Sequence, residues 1–447
     1  ARTMYHYPWR PIDLRDELKA DIPSTTYLSH GLHNYYPAKF IPQVPRFVIR
    51  ELGLRGKVIL DPFAGSGTTA VECLVTGNSN ISNDINPMTR FLIGLKTLRL
   101  DPQRAWAHRE ALSELLAQVW DPGADFRPDW GNLDYWYPPE ILPIIARLWG
   151  GLYALDGEQP ELTQIIKAAA LHVARKFSYD EDDSPKLFKS KFKRRKMKEI
   201  LAELAERGPT LITDALRSRA ERYLTSVLEF SEAVTANFTL ADEWREFDEP
   251  FVLRTCESVE NLGAAVPAGA VDCVVTSPPY LYAQEYVRST KLDMYWLGLA
   301  DDAGVRALTR AEIGQRTQAG IDLNGALARA AAYTETLARV QAQAEHFKTK
   351  SNVARFEAYF GDMLAFMQVS QRLLRDGGHL VVFVGDPKVF GQHVPSKDIF
   401  AELMELQGFA IEQVYFDTIK SRQLALDRQN ANPEGMAGEW LIIGRKQ

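Results

Sequence analysis

Short apolar runs alternate with helix-forming segments in three parts of the chain, and two long stretches between them lack that alternation. Val58-Ile59-Leu60 ends in Asp61 and a glycine turn, the pattern of a buried parallel strand. Thr68 to Val75 has helical character, and Asn80-Ile81-Ser82-Asn83-Asp84 follows as a second strand. This β-turn-α-β unit opens a doubly wound sheet. Residues 101–248 carry few strand signals and many helix formers, as in Arg109–Ala117 and Lys198–Glu206, and predict a helical insertion. Strands resume at Phe251–Leu253 and Val271–Val275, before a second Ala/Arg/Gln-rich helical insertion over 298–355. The last block predicts a helix over Tyr359–Leu374, a turn at Asp376-Gly377-Gly378 and a strand over Leu380–Val384. A helix over Ser396–Gln407, ended by Gly408, and strands over Ile411–Phe416 and Glu439–Ile443 complete it. The expected organisation is a catalytic domain in three parts (1–100, 249–297 and 356–447) interrupted by helical insertions at 101–248 and 298–355.

Composition narrows the picture only slightly. The 46% hydrophobic and 25% charged fractions are those of a globular protein, and no apolar run reaches a membrane span of roughly 18 residues. The N-terminus shows no apolar signal-peptide core. Cys73, Cys256 and Cys273 form no C-x-x-C pair, which fits a reducing, cytoplasmic setting. The eight histidines show no ligand spacing, so no metal site is expected. A net charge of -6 argues against nucleic-acid binding by bulk charge alone, but not against a local basic groove.

The first chemistry lies in Asp61-Pro62-Phe63-Ala64-Gly65-Ser66-Gly67-Thr68-Thr69, where strand passes to helix. Glycine permits the tight turn and lets a ligand approach the backbone. Taken alone, a G-x-G is as often a plain turn. No G-K-[ST] follows, and Ala70 leaves G-x-G-x-x-G incomplete, so neither phosphate-binding pattern is met. Asp84, at the end of the next strand, is placed to accept hydrogen bonds from ribose hydroxyls. Together with Asp61 and the turn it points to a nucleoside cofactor without a phosphate, a description that S-adenosylmethionine suits.

The second is Thr276-Ser277-Pro278-Pro279-Tyr280, after the strand Val271–Val275. Two prolines fix φ and stiffen the turn. The Ser277 hydroxyl and a carbonyl near Pro278 can accept hydrogen bonds from an amine, and Tyr280 offers a ring face for a base. Pro-Pro alone would be a structural turn; its place after a buried strand, downstream of the glycine turn, favours a site.

These two motifs together resemble those of the DNA amino-methyltransferases that make N4-methylcytosine or N6-methyladenine. Gly31–Pro42 resembles the stretch that closes over the methionine end of the cofactor in that family, and Arg372–Gly378 a later block. The resemblance covers about residues 28–100 and 250–447, apart from the second insertion. It implies a mostly parallel, doubly wound α/β sheet of seven strands with an antiparallel C-terminal strand. It also implies that Phe63, Ala64, Gly65, Ser66 and Gly67 line the S-adenosylmethionine site beside Asp61, that Asp84 binds ribose, and that Lys39 lies near the cofactor carboxylate. Glu257, in Thr255-Cys-Glu-Ser258, stands where the family often has an aspartate facing the adenine. Ser277, Pro278, Pro279 and Tyr280 would form the catalytic set, acting on an extruded base, and serine at this position leans toward cytosine N4 over adenine N6. Carbon-5 methylation is disfavoured, because its Pro-Cys thiolate motif is absent. Two further alternatives are an RNA base methyltransferase and a DNA-binding protein without turnover. The resemblance further implies a restriction–modification or defence setting, with DNA and cognate restriction or defence proteins as partners.

The predicted DNA contact is Lys186–Lys198, with eight basic residues and two phenylalanines, represented by Lys189, Lys191, Lys193, Arg194 and Arg195. The alternative is a solvated helix face balanced by Asp180–Asp183.

Overall fold

The computed structural model describes residues 7–447 except 34, 38, 39, 122, 124, 183, 185, 240–249, 282–284, 314–324, 348–350 and 419–437. Ten strands are present among them: β1 (Arg10–Ile12), β2 (Val58–Asp61), β3 (Ser79–Asn83), β4 (Val252–Thr255), β5 (Val271–Thr276), β6 (Leu374–Gly385), β7 (Lys388–Val389), β8 (Gln392–His393), β9 (Phe409–Thr418) and β10 (Gly438–Lys446). β7 and β8 form a small hairpin, and the other eight form one sheet in the order β1-β9-β10-β6-β5-β2-β3-β4. All neighbours are parallel except β10, which runs against both β6 and β9. The expected sheet is therefore present with an eighth strand. β1 pairs with the edge of β9 through only three residues, too short a segment to show a period of two.

Period-2 alternation sorts the central strands onto two layers. Ile59, Val275, Val381 and Ile443 face the helix Gln43–Glu51, through Val44, Phe47 and Val48. Leu60, Val274, Val382 and Ile442 face the helices Ser351–Leu373 and Ser396–Leu406. The first of these begins eight residues before the expected Tyr359. The expected turn at Asp376-Gly377-Gly378 lies inside β6 as an irregularity: Val271 pairs with Leu374, but Cys273 pairs with His379.

A helical region packs beside the sheet, with Ala105–Gln118, Leu142–Ala154, Pro160–Lys176, Lys191–Arg207 and Thr210–Thr239 as its main members. Its apolar core holds Trp149, Ile165, Leu171, Ile212, Leu224 and Trp296, so it is continuous with the helix Tyr286–Trp296 that follows β5. The polar link between them centres on Arg175. Its guanidinium lies 3.3 Å from Asp293, 3.7 Å from Asp180 and 4.4 Å over the Tyr35 ring, and it donates to the Ser289 carbonyl. Asp293 also meets His33 Nε2 at 3.1 Å. One buried cation therefore joins the helical region to the two segments, 33–36 and 286–296, that flank the sheet's carboxyl edge. Arg175→Ala strips this charge from two buried carboxylates and is expected to lower stability by about 3–5 kcal/mol in urea denaturation.

Candidate functional site

β2 and β5 are parallel neighbours, with Ile59 opposite Cys273 and Leu60 opposite Val274. Their carboxyl ends fall at one edge, where the chain crosses from one half of the sheet to the other, the usual place of a ligand crevice in such sheets. Asp61 ends β2 with 2% of its surface exposed. Its Oδ1 accepts from Thr276 Oγ1 at 2.7 Å and from the Phe63 amide at 3.2 Å, while Oδ2 accepts from Thr69 Oγ1 at 2.6 Å. The glycine turn and the residue before Ser277 are thus fastened to one carboxylate. Burial pushes Asp61 up to about 6, against the pull of these hydrogen bonds.

Gly65 and Gly67 shape the turn, with φ of +49° and +82°. A Cβ at Gly65 would lie 3.1 Å from the Tyr36 ring, and one at Gly67 only 2.7 Å from Ile93. Asp84 Oδ2 accepts from the Gly65 amide at 3.0 Å, and Oδ1 from the Asn86 amide at 2.9 Å. Burial raises Asp84 also to about 6. Asn83 stitches the next corner: its side chain donates to the Pro62 and Glu257 carbonyls and accepts from the Glu257 amide and the Thr255 hydroxyl. Glu257 is thereby held to Asn83, 174 residues earlier in the chain.

The result is a cleft at the carboxyl edge of the sheet, between the glycine turn and the Ser-Pro-Pro loop. Phe63, Ala64, Gly65, Ser66, Asp84, Glu257, Ser277 and Pro279 line it together. Asp61 lies beneath as the strut, and Gly67 packs on Ile93 as the residue before the helix Thr68–Val75. Tyr280 stands aside from the wall and donates its phenol hydrogen to Glu439 of β10; burial and that carboxylate raise its pKa. Lys39 lies outside the described residues.

Several lining residues carried no recognised signal, among them Asn86, Tyr286, Val287 and Glu312. Glu312 lies in the predicted second insertion, which held no motif. Its Oε1 accepts from the Val287 amide at 2.7 Å, its Oε2 is buried without a hydrogen-bond partner, and burial raises it to about 7. Tyr36 and Phe40 also line the cleft, within the stretch Gly31–Pro42 that the family resemblance had marked.

The basic run divides. Ser190 caps the helix Lys191–Arg207, and Lys191, Arg194 and Arg195 point to solvent. Lys193 does not. Its side chain is fully buried, donating to the Lys176 carbonyl at 2.9 Å and to Asp182, which corrects its place among the DNA contacts. Part of the run is thus neutralised by its acidic neighbour, as the alternative held. Lys189 lies 3.4 Å over the Tyr135 ring.

The sheet thus carries a cleft at its carboxyl edge, lined by the glycine turn together with Ser277 and Pro279, where doubly wound α/β proteins bind their ligands. Residues 13–90 match the family model for N6/N4 DNA methylases. The type II methyltransferase M.MvaI of Kocuria varians is 23% identical over 323 residues, 68% of this chain and 65% of that protein. M.MjaII of Methanocaldococcus jannaschii is 30% identical over 123 residues, 28% of this chain and 22% of its own length. The crystal structure of TTHA0409 from Thermus thermophilus complexed with S-adenosyl-L-methionine aligns at 16% identity with a TM-score of 0.22, covering 42% of this chain and 53% of that one. These similarities, with the two motifs, point to the DNA amino-methyltransferase family. It spans less than two thirds of the length of the first relative and under a quarter of the second. Among the described residues, no helix is long and apolar enough to cross a membrane.

Asp61 titrates higher in the fold than in the unfolded chain, so its contribution to stability falls as pH rises from about 4 through about 6. Asp61→Asn should remove that slope. The difference in unfolding free energy between wild type and Asp61→Asn is expected to change by on the order of 2–3 kcal/mol between pH 4 and pH 7.5, and a constant difference would refute the assignment.

Proposed function

We propose that this protein transfers a methyl group from S-adenosylmethionine to the exocyclic N4 of cytosine in DNA. The observation that carries the reading is the Asp61 strut, which brings Ser277 and Pro279 onto the same cleft as Gly65 and Asp84. The residues present fit such a cofactor. The cleft sets polar and apolar groups side by side, Gly65 meets the Tyr36 ring where a Cβ would crowd it, and Asp84 offers acceptor oxygens on the wall. Asp84 would take the ribose hydroxyls, Phe63 and the Glu257 region the adenine, and the 31–42 segment the methionine end.

S-adenosylmethionine held there would supply an electrophilic methyl group; the base amine would gain that methyl and lose a proton to solvent, with S-adenosylhomocysteine as the leaving group. The chain's part is placement. Ser277 Oγ and the carbonyl near Pro278 accept from the amine hydrogens and orient its nitrogen. Pro278 and Pro279 fix that geometry, since their φ angles cannot relax. Tyr280, held through Glu439, supports the base from the side. A base inside a duplex cannot reach this cleft, so the target is expected to be flipped out.

Ser277 favours cytosine; the alternative within the same site is adenine N6. The similarity to type II methyltransferases supports a role in restriction–modification, with cytoplasmic DNA as substrate. DNA from cells expressing the protein, digested to nucleosides and weighed, should contain N4-methylcytosine; N6-methyladenine instead would move the target to adenine, and neither product would reject the function. Ser277→Ala should lower kcat by about 100-fold or more with S-adenosylmethionine affinity kept, a loss typical of removing a positioned hydrogen-bonding group. Asp84→Ala should weaken the cofactor by about 10-fold, and wild-type affinity should fall as pH drops below about 6, where Asp84 takes up a proton. Unchanged affinity in Asp84→Ala would remove it from the site.

A further inference from the structure

The helix Tyr286–Trp296 borders three depressions in succession. Tyr286 and Val287 line the catalytic cleft. Val287 and Glu312 are shared with a neighbouring groove against the helix Asp302–Ala311, whose lining carries Arg288, Lys291, Arg306 and Arg310. Arg288 and Lys291 are shared in turn with a third depression on the helical region, where Tyr135, Trp136 and Phe188 meet Lys189. The three form one path, and Tyr286 to Lys291 covers about 7.5 Å of helix axis, about two base steps along a DNA strand.

The chemistry changes along this path. In the groove, four cations meet two carboxylates, Glu285 and Glu312; Glu285 pairs with Arg288 at 2.8 Å, and both of those side chains are about half exposed. Such a pair is weak and yields readily to a phosphate. The third depression is lined by three cations and no carboxylate. Tyr135 and Phe188 are 56% and 39% exposed, unusual for rings beside a packed core. Trp130 lines the same wall, 5% exposed, and its indole N–H is buried without a hydrogen-bond partner. Exposed rings, cations and an unused donor together match a nucleotide: a stacking face for the base, positive charge for the phosphate and a hydrogen for an acceptor oxygen.

We propose that a DNA strand leaves the catalytic cleft across the helix Tyr286–Trp296, with its phosphates on Arg288, Lys291, Arg306 and Arg310, and sets one base against Tyr135 and Phe188. This rests on the DNA methyltransferase reading above. It gives the second insertion a role that no motif in its sequence announced.

The test uses the full chain with plasmid DNA and labelled S-adenosylmethionine. All the substituted side chains are at least partly exposed, so folding should survive, with an unchanged thermal transition as the check. Arg306→Ala/Arg310→Ala should reduce the slope of log affinity for DNA against log salt by about 2, one unit for each phosphate contact. Tyr135→Ala/Phe188→Ala should raise the KM for DNA by about 5- to 100-fold and leave the salt slope unchanged. Both variants should keep wild-type affinity for S-adenosylmethionine. If the wild type methylates plasmid DNA and both variants match it in KM and salt slope, the track is wrong and the function stands. If the wild type neither binds nor methylates DNA, both fall.

Discussion

A buried carboxylate with three donors governs the site. Asp61 ends the central strand, and its two oxygens take the hydroxyls of Thr69 and Thr276 and the amide of Phe63. Without the hydroxyl partners, a carboxylate at this depth would be a severe liability; with them, it fixes the glycine turn and the Ser-Pro-Pro loop against each other. The cost shows in its raised pKa, since three hydrogen bonds only partly offset desolvation. Asn83 performs a similar service one strand away with a neutral amide, binding the ends of β2, β3 and β4 to Glu257.

Around this strut, the molecule separates charge that is buried and paired from charge that faces solvent. Arg175, Lys193 and Arg46 are buried or nearly so and consumed by Asp293, Asp182 and Glu72, holding the helical region and the 27–46 segment onto the sheet. Arg288, Arg306 and Arg310 point to solvent on the rim of the cleft. An acidic protein can thus still offer DNA a basic surface, because phosphate responds to the local field rather than to the net charge.

Much of the fold was legible in the chain. The helix Thr68–Val75 and the strands from Val58 and Val271 fall where apolar runs and turn residues place them, because both faces of a central parallel strand are covered and leave a continuous apolar run. β1 was not legible, because a three-residue edge strand is fixed by its partner and not by its own pattern. The turn expected at Asp376–Gly378 became an irregularity within β6, since local glycine content cannot tell a reversal from a bulge. Lys193 was misjudged for a related reason. A charge run shows no periodicity of burial, and only the docking of its helix on Asp182 and the Lys176 carbonyl turned that one residue inward.

The sequence by itself carried the proposed reaction class, because the glycine turn and the Ser-Pro-Pro-Tyr string are short contiguous motifs whose chemistry depends on adjacent residues. Tertiary structure decided everything that depends on residues far apart: that Asp61 is a strut beneath the cleft, that Glu312 enters it, and that Tyr280 leans on Glu439. It also brought the cations of residues 288–310 beside the aromatic residues of 135–188. Those contacts arise from how helices dock on the sheet's carboxyl edge, and no local pattern of side chains records which distant partner a helix face will meet.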